Sequence, residues 1–246
     1  MDTTISTLNH REQRRGGERL LLQVGAVAAI LGTVLQVAAG TSQSTLLGST
    51  EVSLEALAGQ SDWFWPTAYL GFIFGALLWV GALVALASSL PHGAAWALGR
   101  LAVATAIVGA TLHTVDGALN AGGLASLARD WTAADATERV ALMQNGDLLL
   151  RLLDGTWAGV VTLFHGVPFV LAGVAVALSQ RYPTWLGWVG VVGGAGSLIV
   201  GVAIFFGGVG AGLAVPFAVV LSLFMVVLGG MMWSQAGSSV EEPAVP

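Results

Sequence analysis

Apolar residues in this chain come in unbroken runs rather than alternating with polar ones. Six runs stand out, over residues 20–39, 65–86, 98–119, 155–178, 185–206 and 213–233. A helix rises about 1.5 Å per residue, so about 20 apolar residues cover the ~30 Å hydrocarbon core of a bilayer. Backbone N–H and C=O groups find no water there and must be satisfied within the segment, which a helix achieves. No alternating barrel pattern appears. The runs predict an all-α, polytopic membrane bundle of six transmembrane helices. Residues 1–19 read as a basic N-terminal segment, 20–233 as the membrane domain and 234–246 as a flexible acidic tail.

The flanks predict orientation. Arg11, Arg14, Arg15 and Arg19 precede the first run, and an arginine excess marks the cytoplasmic side. Both chain ends are then expected in the cytoplasm, with Arg100 and Arg181 on the same side. The first outer loop holds Glu51, Glu55 and Asp62 and no basic residue, whereas Arg129 and Arg139 in the next outer loop run against the rule. The first run also resembles a signal peptide, with Val37 and Ala39 as small residues before a cleavage position. Its length exceeds the usual apolar region of roughly 7–15 residues, so it is expected to remain a span. Trp63 and Trp65 at an outer edge, and Trp96, Tyr182, Trp185, Trp188 and Trp233 at inner edges, fit an aromatic belt. Pro66 and Pro183 open their helices, where a missing N–H costs little. Residues 51–57 are expected as a short helix. Residues 132–143 are expected as another, capped by Thr132, inside an otherwise ordinary outer connector over 128–147.

Composition narrows the function classes. Of the residues, 55% are hydrophobic and only 9% charged, and the mean hydropathy is +0.80. A soluble domain carries about 25% charged residues, so the lipid bilayer must be this chain's main solvent. With no cysteine, disulfides, thiol catalysis and thiolate-bound metals are excluded. The net charge of -5 is scattered; nucleic-acid binding needs a basic stripe, and none is present. All basic residues are arginine, which with abundant Ala, Gly and Val points to a GC-rich bacterial genome and a bacterial inner membrane. No phosphate-cradling glycine loop or nucleophile elbow occurs, and a non-enzymatic role is the expectation.

Small residues recur at four-residue spacing: Gly71 and Gly75, Gly155 and Gly159, and Gly193, Ser197 and Gly201. Such rows let helix backbones approach closely in lipid. Pro168 inside the fourth run is expected to kink it beside His165. The stretch Trp65-Pro66-Thr67 is echoed by Tyr182-Pro183-Thr184, one opening span two and the other span five, as in inverted repeats of some transporters.

Ionisable groups within the runs are the pointers to chemistry, because each costs several kcal/mol in the bilayer. His113, Asp116 and Asn120 are three and four residues apart and share one face of span three. Asp147, Arg151, Asp154, Ala158 and His165 fall on one stripe leading into and along span four. Four readings follow. The groups form a structural polar core, with Arg151 pairing with Asp154 on their own helix. Alternatively they line an outward-facing pocket for a small solute or protons. His113 and His165 ligate a b-type haem, or with Asp116 a metal such as zinc. Finally, the chain is an accessory subunit or homo-oligomer that packs through the glycine faces of spans two and five.

Three stretches carry a family likeness: the short basic N-terminus running into span one, Leu152-Leu153-Asp154-Gly155 at the start of span four, and Tyr182-Pro183-Thr184-Trp185-Leu186-Gly187 at the start of span five. In these the chain resembles a bacterial family of six-helix integral membrane proteins of unknown function. The resemblance implies topology and assigns no catalytic residue.

Overall fold

The computed structural model describes residues 2–40, 49–207 and 209–238, with side chains from residue 16 to residue 237 within those ranges. The helices are α1 (Asp2–Gly40), α2 (Thr50–Ala58), α3 (Phe64–Ser89), α4 (Ala94–Ala118), α5 (Ala125–Ala133), α6 (Ala136–Val160), α7 (Val167–Leu178), α8 (Thr184–Phe205) and α9 (Val215–Ser238). A π-helical segment, Leu119–Leu124, joins α4 to α5, and a second, Val161–Gly166, joins α6 to α7. No strand occurs among the described residues. Six helices are long and apolar enough to cross a membrane: Gly16–Gly40, Phe64–Ser89, Ala94–Ala133, Ala136–Leu178, Thr184–Phe205 and Ala211–Gly237. The chain is a multi-pass helical membrane protein.

Spans three and four depart from the expected lengths. Their helices run for 40 and 43 residues, about 60 Å each, roughly twice the hydrocarbon thickness. The expected connector over 128–147 is therefore helix almost throughout. Its turn is set by Asp135, whose side chain accepts hydrogen bonds from the Thr137 and Glu138 N–H groups while Glu138 accepts from the Asp135 N–H. This capping box satisfies N–H groups that a helix start otherwise leaves orphaned. Those hydrogen bonds hold the Asp135 carboxyl below the usual carboxylate range. Thr132, the expected cap, instead donates its hydroxyl to the Arg129 carbonyl at 2.7 Å.

The projecting hairpin has its own apolar core. Leu124, Ala128 and Trp131 recur at helical spacing and pack with Leu54 and Leu57 of α2 and with Leu153 of α6. The short helix expected at 51–57 is present, capped by Ser49. The Thr50 hydroxyl donates to the Asp147 carboxylate and pins α2 beside α6. Together α2, α5 and the first turns of α6 form a cap on one end of the bundle.

Within the membrane, each span packs on the next and the last packs on the first, in the order α1, α3, α4, α7, α8, α9 and back to α1. Glycine permits the closest crossings. A Cβ on Gly173 would lie 2.5 Å from Val191 N and 2.6 Å from Gly187 O, so α7 and α8 touch backbone to backbone. Of the expected packing residues, Gly75 meets Gln36 and Gly32 of α1, Gly159 meets Leu112, Gly193 meets Leu221, and Gly201 meets Thr162 and Ala158. Ser197 is buried, and Gly71 lies 3.9 Å from Leu35. Gly155 is the correction: it is exposed, with nothing near it, and packs no helix.

The end opposite the cap is fastened by Arg181. Its Nε donates to Gln235 Oε1 at 2.8 Å, and its Nη1 donates to Glu18 Oε1 at 2.8 Å and to the Ser89 carbonyl at 3.0 Å. Tyr182 shares a 2.9 Å hydrogen bond with Ser89; burial pushes its phenol above the usual range. One arginine thus ties together α1, α3, α9 and the α7–α8 turn. Tyr182 is buried and is not a belt residue, whereas Trp63, Trp185, Trp188 and Trp233 are exposed as a belt requires.

Candidate functional site

Asp116 sits near the end of α4 and is only 2% exposed. Its Oδ1 accepts from the Thr156 hydroxyl of α6 at 2.6 Å, and its Oδ2 accepts from Asn120 Nδ2 at 3.3 Å. Asn120 Nδ2 also donates to the Asp116 carbonyl at 2.9 Å, and the Asn120 carbonyl accepts from Trp65 Nε1 at 3.0 Å. Trp65, expected in the belt, is therefore turned inward and is buried. The Asn120 side-chain oxygen is buried without a partner. Asn120 belongs to the first π segment. A π turn adds one residue to the helical repeat, and such segments concentrate at functional sites.

One turn deeper lies His113, fully buried. Its ring is 4.1 Å from Phe72, 5.2 Å from Phe164 and 6.2 Å from His165, centroid to centroid. Neither ring nitrogen makes a hydrogen bond of good geometry, although the Phe72 carbonyl, which accepts from Gln36 Nε2 at 3.3 Å, also faces the ring. His165 is also buried, in the second π segment, just before Pro168. Trp79 stands 6.0 Å from it and donates Nε1–H to Thr33 at 3.1 Å. Spans three and four thus bring together four expected residues, His113, Asp116, Asn120 and His165, and add Thr156.

The family model described as a domain of unknown function (DUF4386) matches residues 20–233. The chain belongs to that family. No curated protein and no solved structure matches it.

In this DUF4386 protein two expected site residues lie apart from the rest. Arg151 and Asp154 are exposed on the outer side of α6, and no ion pair joins them. The expected stripe is divided: Ala158 and His165 are buried in the bundle, Ala158 beside Gly201 of α8, whereas Arg151 and Asp154 occupy exposed positions nearer the cap. The proposed zinc set is not assembled either. Among the described residues no group of three or more His, Cys, Asp or Glu is placed to hold a metal ion, and Asp116 turns to Thr156 and Asn120. A haem does not fit between His113 and His165 as they stand: Phe164 packs against both rings, 5.2 Å from one and 5.1 Å from the other. The glycine faces of spans two and five are occupied inside the bundle by α1, α6, α7 and α9, so they are not free for a partner.

Thr156, Phe72, Phe164 and Trp79 are the unforeseen members. Trp79 lies well inside its helix, away from the interfaces a belt residue prefers, and that position is the signal for it. A threonine carries none by itself, because its usual intramembrane role is a bond to its own helix.

Proposed function

We propose that this protein carries a proton-responsive site, formed by the polar line Asn120, Asp116, His113 and His165 and reached from the cap end. One observation carries the reading. A carboxylate buried between two spans is held by side chains of both, one turn from a buried imidazole that makes no hydrogen bond of good geometry. Intramembrane ionisable groups facing a bundle interior mark ion and proton pathways. A buried polar atom without a partner in the chain marks strain, an ordered water or ion, or a functional role.

Packing favours protons over a solute. Aromatic rings fill the surroundings of His113, and neither the cleft at the cap nor the one beside Glu18 includes a residue of the polar line. A proton needs no volume. The π segments at Asn120 and His165 supply backbone irregularity at both ends of the line. The arginine bias of the flanks favours a cap that faces away from the cytoplasm.

The test is a pH-dependent infrared difference spectrum of purified protein. The reading expects a carboxylic-acid band that grows as pH falls, is lost in Asp116→Asn and shifts in His113→Phe. A spectrum in which Asp116→Asn removes no pH-dependent band, while the variant stays folded, overturns it.

A further inference from the structure

The cap holds a cleft that the polar line does not use. It is an open depression of about 560 Å³ rather than an enclosed cavity. Trp131, only 6% exposed, contributes an aromatic surface, with Met143 and Val140 as further apolar lining. Two opposite charges line the same space: Glu51 from α2 and Arg139 from α6. They come from different helices and do not pair with each other. The Arg139 guanidinium lies over the Trp131 ring at 5.2 Å. A cation–π contact at this distance consumes none of the guanidinium's N–H donors, which are the groups that pair with a carboxylate.

The helices that carry the two charges are held in place. The capping box at Asp135 fixes the first turn of α6 just before Arg139. The bond from Thr50 to Asp147 fixes α2, and so Glu51, beside α6. A site ordered before binding loses less entropy on binding.

We propose that this cleft binds a small zwitterion of the amino-acid class. Arg139 takes its carboxylate, Glu51 takes its ammonium, and its apolar part lies on Trp131 and Met143. A lone anion or a lone cation leaves one charged residue without a partner and binds more weakly. The proposal is independent of the proton-responsive line.

Isothermal titration of the full chain in detergent tests it. The probes are the proteinogenic L-amino acids and glycine betaine. For the tightest binder, its decarboxylated amine and its deaminated acid follow. The expected result is saturable 1:1 binding by at least one zwitterion, weakened at least tenfold in each half-molecule. Glu51→Gln and Arg139→Gln each weaken it at least tenfold, with unchanged unfolding temperatures without ligand; Asp116→Asn binds as the parent does. Binding by no probe overturns the proposal, as does binding that neither cleft variant weakens. If Arg139→Gln alone weakens binding, and the acid binds as well as the zwitterion, the cleft is a simple anion site and the proposal also fails.

Discussion

At the scale of single residues, the decisive contacts are those that satisfy a polar atom in the dry interior. Asp116 depends on Thr156, which donates to its carboxylate from another helix. Thr156→Val keeps the shape and removes the donor, leaving a buried acceptor short. We expect a loss of roughly 1–2 kcal/mol, since unmade buried hydrogen bonds cost about 1–3 and intramembrane ones fall at the low end. Thr111 is an exposed control that bonds only to the Ile107 carbonyl of its own helix; Thr111→Val should change stability by less than about 0.5 kcal/mol. Chemical unfolding in detergent measures both. His113, Asp116 and Asn120 were legible as one face because helical spacing depends on sequence alone. That Asn120 also accepts from Trp65, 55 residues away, was not, because no local pattern records which helix comes alongside.

At the scale of elements, glycine positions decide how closely spans approach, and spacing alone misplaces some. Gly155 and Gly159 have the packing spacing, yet only Gly159 has a neighbour. Gly173 and Gly187 have no such row between them in sequence and make a backbone contact. Gly173→Ala forces α7 and α8 apart and should cost about 1–3 kcal/mol or more. Gly155→Ala meets open space and should be neutral, or stabilising by up to about 1 kcal/mol through helix propensity. Thermal unfolding that ranks the two variants the other way contradicts this packing. The same distinction explains the helix boundaries. Apolar runs located all six spans, because lipid imposes the run. They stopped short in spans three and four, because beyond the bilayer a helix needs only a one-sided apolar stripe. Leu124, Ala128 and Trp131 provide that stripe, and Asp135 sets the turn between the two long helices.

For the whole molecule, the closed ring of spans surrounds an interior packed with aromatic rings, fastened at one end by Arg181 and covered at the other by the cap. The polar line begins under that cap at Asn120 and ends at His165. Its central claim is one-sided access, and the absence of cysteine from the chain makes that directly measurable. Single cysteines at Glu51 and His92, treated with a membrane-impermeant maleimide in intact cells and in inverted vesicles, identify the side on which each end lies. In vesicles of that known orientation, the infrared band lost in Asp116→Asn is followed while the pH of one side alone is changed. The account predicts that the band follows the pH of the side that labels Glu51→Cys. A band that follows the side that labels His92→Cys, or that responds to neither, would contradict it.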